Sequence, residues 1–209
     1  MTTYRIELSR LDSRKGIHRY LSNLPEFLTC CRNIDLLHST GIGLFCSRQC
    51  PGNIILRLLL RGKAGVILCH ARSIESLRIP SRLKPALEEG RILLLSPFSS
   101  KERRITRKLA ERRNEFVAAL ADAILLAHAA PGSKTKSFAQ RITAWEKPLY
   151  TIEIPSNRNL IEQGQKKTLH LPPGKKIKSK FKIPSCHFKF VGWALFSFIL
   201  DILSHAIYV

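Results

Sequence analysis

Five short apolar runs recur along the chain, and segments with helical periodicity separate them. The runs span residues 42–46, 66–69, 92–95, 123–127 and 149–152. Each run is nearly continuous rather than alternating, which is typical of parallel strands that are covered on both faces. Strands that alternate with helices predict a doubly wound α/β fold with a mostly parallel sheet of about five strands. A chain of 209 residues has room for one such domain with tails.

The clearest helical segment is Lys101–Ala121. Its apolar side chains at helical spacing are Ile105, Leu109, Phe116 and Leu120. Ser99 and Glu102 fit a capping box, which predicts that the helix starts close to Lys101. Shorter helices are predicted at 138–145 and 156–163.

The chain is strongly basic, with a net charge of +20 and a pI of about 10.3. A field of this sign favours polyanions such as nucleic acid or an anionic membrane face. The densest basic array lies on the predicted helix and comprises Arg103, Arg104, Arg107, Lys108, Arg112 and Arg113. Two interpretations stay open, a solvated helix face and a surface that follows a phosphate backbone.

Two of the apolar runs are each followed by a short polar turn. Ser47 and Arg48 follow the first run, and the fourth is followed by a turn that contains Gly132, Ser133, Lys134 and Thr135. A glycine allows a backbone to approach an anion closely, and hydroxyl, lysine and arginine side chains add donors and charge. Because the carboxyl ends of parallel strands meet at one edge, both turns are expected to line a single crevice.

The six cysteines include no Cys-x-x-Cys pair, and no signal peptide opens the chain. We therefore expect free thiols and a cytoplasmic location, and we predict no metal site because the ligand spacing is wrong. His70 and His128 close two of the apolar runs. Each is interpreted either as a ligand contact at the crevice or, more commonly for such a position, as a histidine bonded to backbone.

The composition changes after Gly164. Residues 165–189 contain eight lysines and no acid, so we expect them to be disordered unless a polyanion holds them. Residues 190–209 are mostly apolar and long enough to cross a bilayer, although Asp201 and His205 oppose insertion. A tail anchor, an amphipathic end and an accidental extension all stay open for this segment.

Six motifs in a fixed order resemble the DNA-processing protein family (DprA/Smf), which has a Rossmann-like domain. They are the strand and turn from Ile42 to Arg48, Leu60-Arg61-Gly62 before Val66, the stretch from Leu87 to Pro97, Arg113-Asn114, the turn from Ala130 to Thr135, and Lys147-Pro148-Leu149-Tyr150 with Asn159-Leu160-Ile161 and Gly164. The resemblance covers residues 33–164. It leaves 1–32 as an N-terminal basic segment, 165–189 as a lysine-rich linker and 190–209 as an apolar C-terminal segment.

The resemblance implies single-stranded DNA binding in DNA uptake and recombinase loading, without bond cleavage, catalytic residues or a cofactor. The residues it places in the crevice are Ser47, Arg48, Arg113, Asn114, Gly132, Ser133, Lys134 and Thr135. A recombinase is the further protein partner it implies. A homodimer stays open, and membrane contact through the C-terminal segment is not favoured.

Two departures from the family pattern affect the crevice. A strand and a glycine-rich loop of the family have no counterpart after residue 57, and Glu115 stands where arginine is more usual. Two alternatives therefore remain. One is an inactive, decayed member of the family. The other is an enzyme similar to the phosphoribohydrolases, which Pro131-Gly132-Ser133-Lys134-Thr135 resembles, although no carboxylate follows that turn for acid–base chemistry.

Overall fold

A computed structural model describes residues 2–46, 65–129, 132, 134–152, 157–161, 167–169 and 189–191. These residues form one nine-stranded sheet with helices against it. The strands are β1 (Tyr4–Glu7), β2 (Phe27–Arg32), β3 (Gly41–Cys46), β4 (Val66–Cys69), β5 (Ile92–Ser96), β6 (Ala123–His128), β7 (Leu149–Ile152), β8 (Lys167–Leu169) and β9 (Lys189–Val191). The α-helices are α1 (Leu8–Lys15), α2 (Lys84–Glu88), α3 (Arg107–Leu120), α4 (Lys134–Thr143) and α5 (Arg158–Ile161), and short 3₁₀ turns cover Ile17–Arg19, Ile34–His38 and Ser81–Leu83.

All five apolar runs are strands, and they pair in parallel as predicted. β3 pairs with β6 in a register that places Ile42 opposite Ala123, β6 pairs with β7, and β4 pairs with β5. The order across the sheet is β1-β2-β5-β4-β9-β3-β6-β7-β8. The chain runs outward from β3 through β4 to β5 and then returns to β6 on the other side of β3. This reversal confirms the doubly wound α/β fold.

Four strands lie outside the predicted set. β1 and β2 belong to the N-terminal basic segment, yet both are antiparallel additions that extend the sheet beyond β5. β8 forms within the lysine-rich linker and pairs with β7. β9 lies between β3 and β4 and is parallel to both. The sheet therefore draws on residues from both sides of the predicted domain boundaries.

Helix α3 starts later than the capping box predicts. Ser99 and Glu102 contact each other and close a local turn, in which the Glu102 N–H donates to the Ser99 carbonyl at 3.1 Å. The helix is instead capped by Thr106, whose hydroxyl oxygen accepts the Leu109 N–H at 3.2 Å. The expected start at Lys101 was wrong because the same side-chain pattern closes an isolated turn as readily as a helix.

Helices α3 and α4 pack on the sheet through buried aromatic side chains. The rings of Phe45 in β3 and Phe138 in α4 have centroids 4.8 Å apart, and Phe116 and Val117 of α3 are buried in the same core. Trp145 is only partly buried and lies against Tyr20, with ring centroids 5.0 Å apart. The N-terminal residues thus cover the outer end of this helical layer.

A lysine and an aspartate hold the C-terminal end of α3. The Lys147 ammonium donates to the carbonyls of Ala118, Ala119 and Ala121, at 2.9, 2.6 and 2.6 Å, and so caps the C-terminus of α3. Asp122 accepts the Gly41 N–H at 2.7 Å and the Lys15 ammonium at 2.8 Å. These contacts join the C-terminus of α3 to the start of β3.

None of the helices in the described ranges is long and apolar enough to cross a bilayer. Residues 190–209, for which a tail anchor is one of the open alternatives, lie outside those ranges except for Phe190 and Val191, which belong to β9.

Candidate nucleic-acid interface

The parallel strands end together at one edge of the sheet, as the sequence predicts. β4, β5 and β6 end at Cys69, Ser96 and His128 on the same edge. The ends of β4 and β5 are neighbours, with Cys69 opposite Leu95, whereas β9 and β3 lie between β4 and β6. In doubly wound folds ligands bind outside the carboxyl ends of the strands, where the strand order reverses. We call this region the strand-end edge.

Part of the expected crevice lies outside the described residues. Ser47, Arg48 and Ser133 belong to that part. Gly132 is among the residues that the structure describes. It is exposed, and its φ of +71° lies in the left-handed region that favours glycine. A Cβ at this position would meet nothing within 4 Å. Gly132 is thus open on that side, so a ligand could approach its backbone.

Helix α4 begins directly after this turn. Lys134 is its first residue and Thr135 its second, so both stand at a helix N-terminus, where backbone N–H groups and the helix dipole favour anions. The Lys134 side chain is 64% exposed, and its ammonium lies 3.5 Å from the Glu111 carboxylate. Nearby cations lower the pKa of that carboxyl, chiefly through its hydrogen bond to Arg107. An incoming phosphate would compete with Glu111 for Lys134.

Arg113 lies beneath the strand-end edge rather than on it. It is only 2% exposed, and its Nε and Nη2 donate to the Asn114 side-chain oxygen at 3.0 and 2.8 Å. Burial lowers the pKa of its guanidinium to about 10, so the group keeps its charge at neutral pH. In this arrangement Arg113 adds positive potential from below, while partly exposed Asn114 fixes its orientation.

Both strand-end histidines are buried rather than on the rim of a crevice. His70 follows β4 and is completely buried, and burial, with the neighbouring charges of Arg113 and Arg72, lowers its pKa to about 3. Burial also lowers the pKa of His128 at the end of β6. Both imidazoles are therefore neutral at physiological pH, and neither is placed for contact with a ligand in solvent.

Ser96 shapes the edge in a way that sequence reasoning missed. Its hydroxyl donates to the Arg72 carbonyl at 2.8 Å and accepts the Phe98 N–H at 3.1 Å. It therefore ties the loop after β4 to the loop after β5. The Ser96-Pro97 pair was part of the family resemblance, but an apolar strand that ends in serine does not by itself reveal this link.

The basic array divides into a buried member and an exposed group. Arg103 and Arg104 lie in the loop before α3, and Arg107 and Lys108 lie in its first turn. All four are exposed, whereas Arg113 is not. Arg107 forms an exposed pair with Glu111 at 3.0 Å, which neutralises little of the total charge. We use the term basic surface for Arg103, Arg104, Arg107, Lys108 and Lys134.

Within the described residues, no group of three or more histidine, cysteine, aspartate or glutamate side chains could hold a metal ion. Cys30, Cys31 and Cys69 are buried free thiols, and burial raises the pKa of Cys30 and Cys69 to about 12. Cys69 packs among apolar residues in β4. These three cysteines behave as small core residues.

Comparisons with known proteins identify the fold. No protein-family profile matches the chain, and no curated protein does. Among solved structures, DNA processing protein A from Streptococcus pneumoniae is similar, with a TM-score of 0.60, 15% identity, and coverage of 81% of this chain and 71% of that one.

A second similar structure is DNA processing protein A from Helicobacter pylori, described for its unique single-stranded DNA binding mode. Its TM-score is 0.62 at 17% identity, and the match covers 98% of this chain and 97% of that one. The fold implied by the resemblance to the DNA-processing proteins is therefore confirmed.

Proposed function

We propose that this chain, which has the fold of DNA processing protein A, binds single-stranded DNA at its strand-end edge. The observation that carries the proposal is the position of Lys134. It is an exposed cation at the N-terminus of α4, two residues after the exposed Gly132 and within the basic surface. The Helicobacter pylori protein of the same fold is described as binding single-stranded DNA, which supports this choice of polyanion.

The proposed contacts are mostly to phosphates. Lys134 and the first N–H groups of α4 would hold one phosphate, and Thr135 would donate its hydroxyl to the same group. The exposed arginines before α3 would follow the backbone to the next phosphates. Arg113 would stabilise the bound strand electrostatically without touching it, because Asn114 holds its guanidinium inside the domain.

Binding without catalysis is part of the proposal. General acid–base chemistry at neutral pH needs a group whose pKa lies near 7 and which reaches the substrate. His70 is buried with a pKa of about 3, and the residues after the turn are Lys136, Ser137 and Phe138 rather than a carboxylate. The finer roles, protection of incoming DNA in the cytoplasm and transfer to a recombinase, follow from the family resemblance and belong to the same proposal.

The test is fluorescence anisotropy of a labelled single-stranded oligonucleotide with the full chain over a salt series. Lys134→Gln is compared with Lys84→Gln, which removes an exposed lysine from α2. We expect the first variant to reduce the slope of log affinity against log salt by about 0.7, as for one single-strand phosphate contact, and the second to change it little.

Duplex competitor DNA provides the second readout. Single-strand preference that persists near physiological salt supports the proposal. The contrary result is that the two lysine variants have equal effects, and that binding is the same for single and double strands and disappears with salt. The interaction would then come only from the net positive charge of the chain. That result would favour an inactive, decayed relative of the DNA-processing proteins.

A further inference from the structure

A cavity of about 600 Å³ opens between α3, α4 and the N-terminal residues 20–25. Its volume is in the range of small-molecule sites, which run from about 300 to 1,000 Å³. Pro97 and Phe98, directly after β5, close one side. No residue at the start of α4 lines the cavity, so it is distinct from the Lys134 position proposed for DNA.

The cavity has an aromatic lining in two layers. Phe116 and Phe138 are buried and form the floor. Tyr20 and Trp145 are partly exposed and form a wall, with ring planes tilted by 32°. Partly exposed aromatic rings offer faces on which a planar ligand can stack.

Two arginine side chains at the rim of the cavity lie over aromatic rings of its lining. The Arg112 guanidinium lies 5.9 Å from the centroid of Phe98, and the Arg141 guanidinium lies 5.8 Å from the centroid of Phe138. Arg141 is also paired with Glu115, the acid in the lining, at 2.7 Å. Lys108 completes the basic side chains of the cavity.

Lys108 and Arg112 carry the strongest indication of a ligand. They are one helical turn apart on α3, where like charges repel each other. Within the part of the chain that the structure describes, neither forms an ion pair with an acid, whereas Arg141 does. Two uncompensated cations beside a stacking wall match a ligand that is both planar and anionic.

We propose that this cavity binds one nucleotide. The base stacks on Trp145 and Tyr20, and the phosphate lies between Arg112 and Lys108. Ser22 and Asn23, which also line the cavity, supply polar groups for the edge of the base. The nucleotide is either free or part of a single strand. The proposal does not require DNA binding at Lys134.

Tryptophan fluorescence tests the proposal in the full chain. The chain has two tryptophans, so Trp193→Phe leaves Trp145 as the sole reporter. In a dAMP titration at constant ionic strength, we expect saturable quenching of Trp145 fluorescence. If only an oligonucleotide quenches it, the nucleotide belongs to a strand. If neither quenches it saturably, the proposal is wrong.

Two arginine variants distinguish a specific binding site from nonspecific attraction to the net positive charge. Arg112→Gln removes a rim cation, and Arg78→Gln removes an exposed arginine outside the cavity. We expect at least a fivefold loss of affinity for the first and less than twofold for the second. Equal losses would overturn the proposal.

A third variant separates this site from the strand-end edge. Lys134→Gln should leave quenching by dAMP unchanged while it weakens oligonucleotide binding. If Lys134→Gln leaves anisotropy unaffected and Arg112→Gln still reduces quenching, the function proposed for the strand-end edge fails and the cavity remains. If Lys134→Gln weakens the anisotropy and Arg112→Gln leaves quenching unchanged, the cavity proposal is wrong and the function proposed for the strand-end edge stands.

Discussion

The strand-end edge and the aromatic cavity are two different ways of building an anion site. At the strand-end edge, the positions of Gly132 and Lys134 follow directly from where β6 ends and α4 begins. The cavity combines residues 20–25, the loop after β5, and the facing sides of α3 and α4. The first depends on local sequence order and tolerates change at exposed positions. The second depends on tertiary packing, so its aromatic floor also belongs to the core.

Replacing an aromatic residue of the cavity floor should have the largest effect. Phe116 is 2% exposed, and Phe116→Ala should lower the free energy of unfolding by about 3–5 kcal/mol. Lys134→Ala at the strand-end edge should change it by less than about 0.5 kcal/mol. Urea denaturation measures both. Similar losses in the two variants would erase the distinction between the regions.

The pH dependence of stability tests the buried part of the strand-end edge. The pKa of His70 is lowered to about 3 from an ordinary value of 6.5, so the unfolded chain binds a proton that the native chain rejects. The stabilisation is complete above pH 6.5 and is lost as the pH falls toward 3. From pH 6.5 to 4.5 the loss is at most about 2.7 kcal/mol, from about 1.36 kcal/mol per pH unit.

The measurement is a series of urea midpoints for wild type and His70→Gln over this pH range. The variant should be less stable throughout, but its curve should fall less steeply toward acid. Parallel curves would mean that His70 becomes charged in the native state and that this part of the strand-end edge is open to water.

Lys147 allows the two regions to be separated by one substitution. Its ammonium caps α3 and lies 4.2 Å from the ring centroid of Tyr20 in the cavity wall. Lys147→Met should cost about 1–3 kcal/mol because it leaves buried carbonyls without this donor. Lys84→Met, at an exposed position of α2, serves as the control. Quenching of Trp145 by dAMP should weaken in the first variant, whereas anisotropy at the strand-end edge should not change.

The smallest effect is expected for the acid in the cavity. Glu115→Gln leaves Arg141 without its partner and raises the positive potential of the lining. Affinity for dAMP should rise only about threefold, because an exposed ion pair contributes well under 1 kcal/mol. An unchanged or weaker affinity in the Trp193→Phe background would show that Glu115 does not oppose the bound phosphate.

The central strands were predictable because their signal is local. Each run between Ile42 and Ile152 is short and nearly continuously apolar, which is typical of strands covered on both faces. β1 was missed because it is short and only half-buried. β8 and β9 were missed because they are three-residue strands in a lysine-rich or apolar tail whose composition does not indicate pairing.

The candidate site was predictable only where residues adjacent in sequence act together. Lys134 and Thr135 follow the end of β6 as predicted, but the helix begins at Lys134 rather than at the predicted residue 138. Arg113 was grouped with exposed arginines because its position on one side of the helix does not reveal which neighbours cover it. The cavity could not be predicted because the contact between Tyr20 and Trp145 joins distant segments whose packing is a property of the folded chain.

The place of β9 between β3 and β4 has a consequence for how this protein is made. Ile42 and Val66 both pair with Phe190 of β9, which is the last of the described strands to be synthesised. β6 and β7, which are close in sequence, can meet much earlier. The outer half of the sheet can therefore form during translation, whereas its centre closes last. Until then the inner edges of β3 and β4 are exposed to other chains and chaperones.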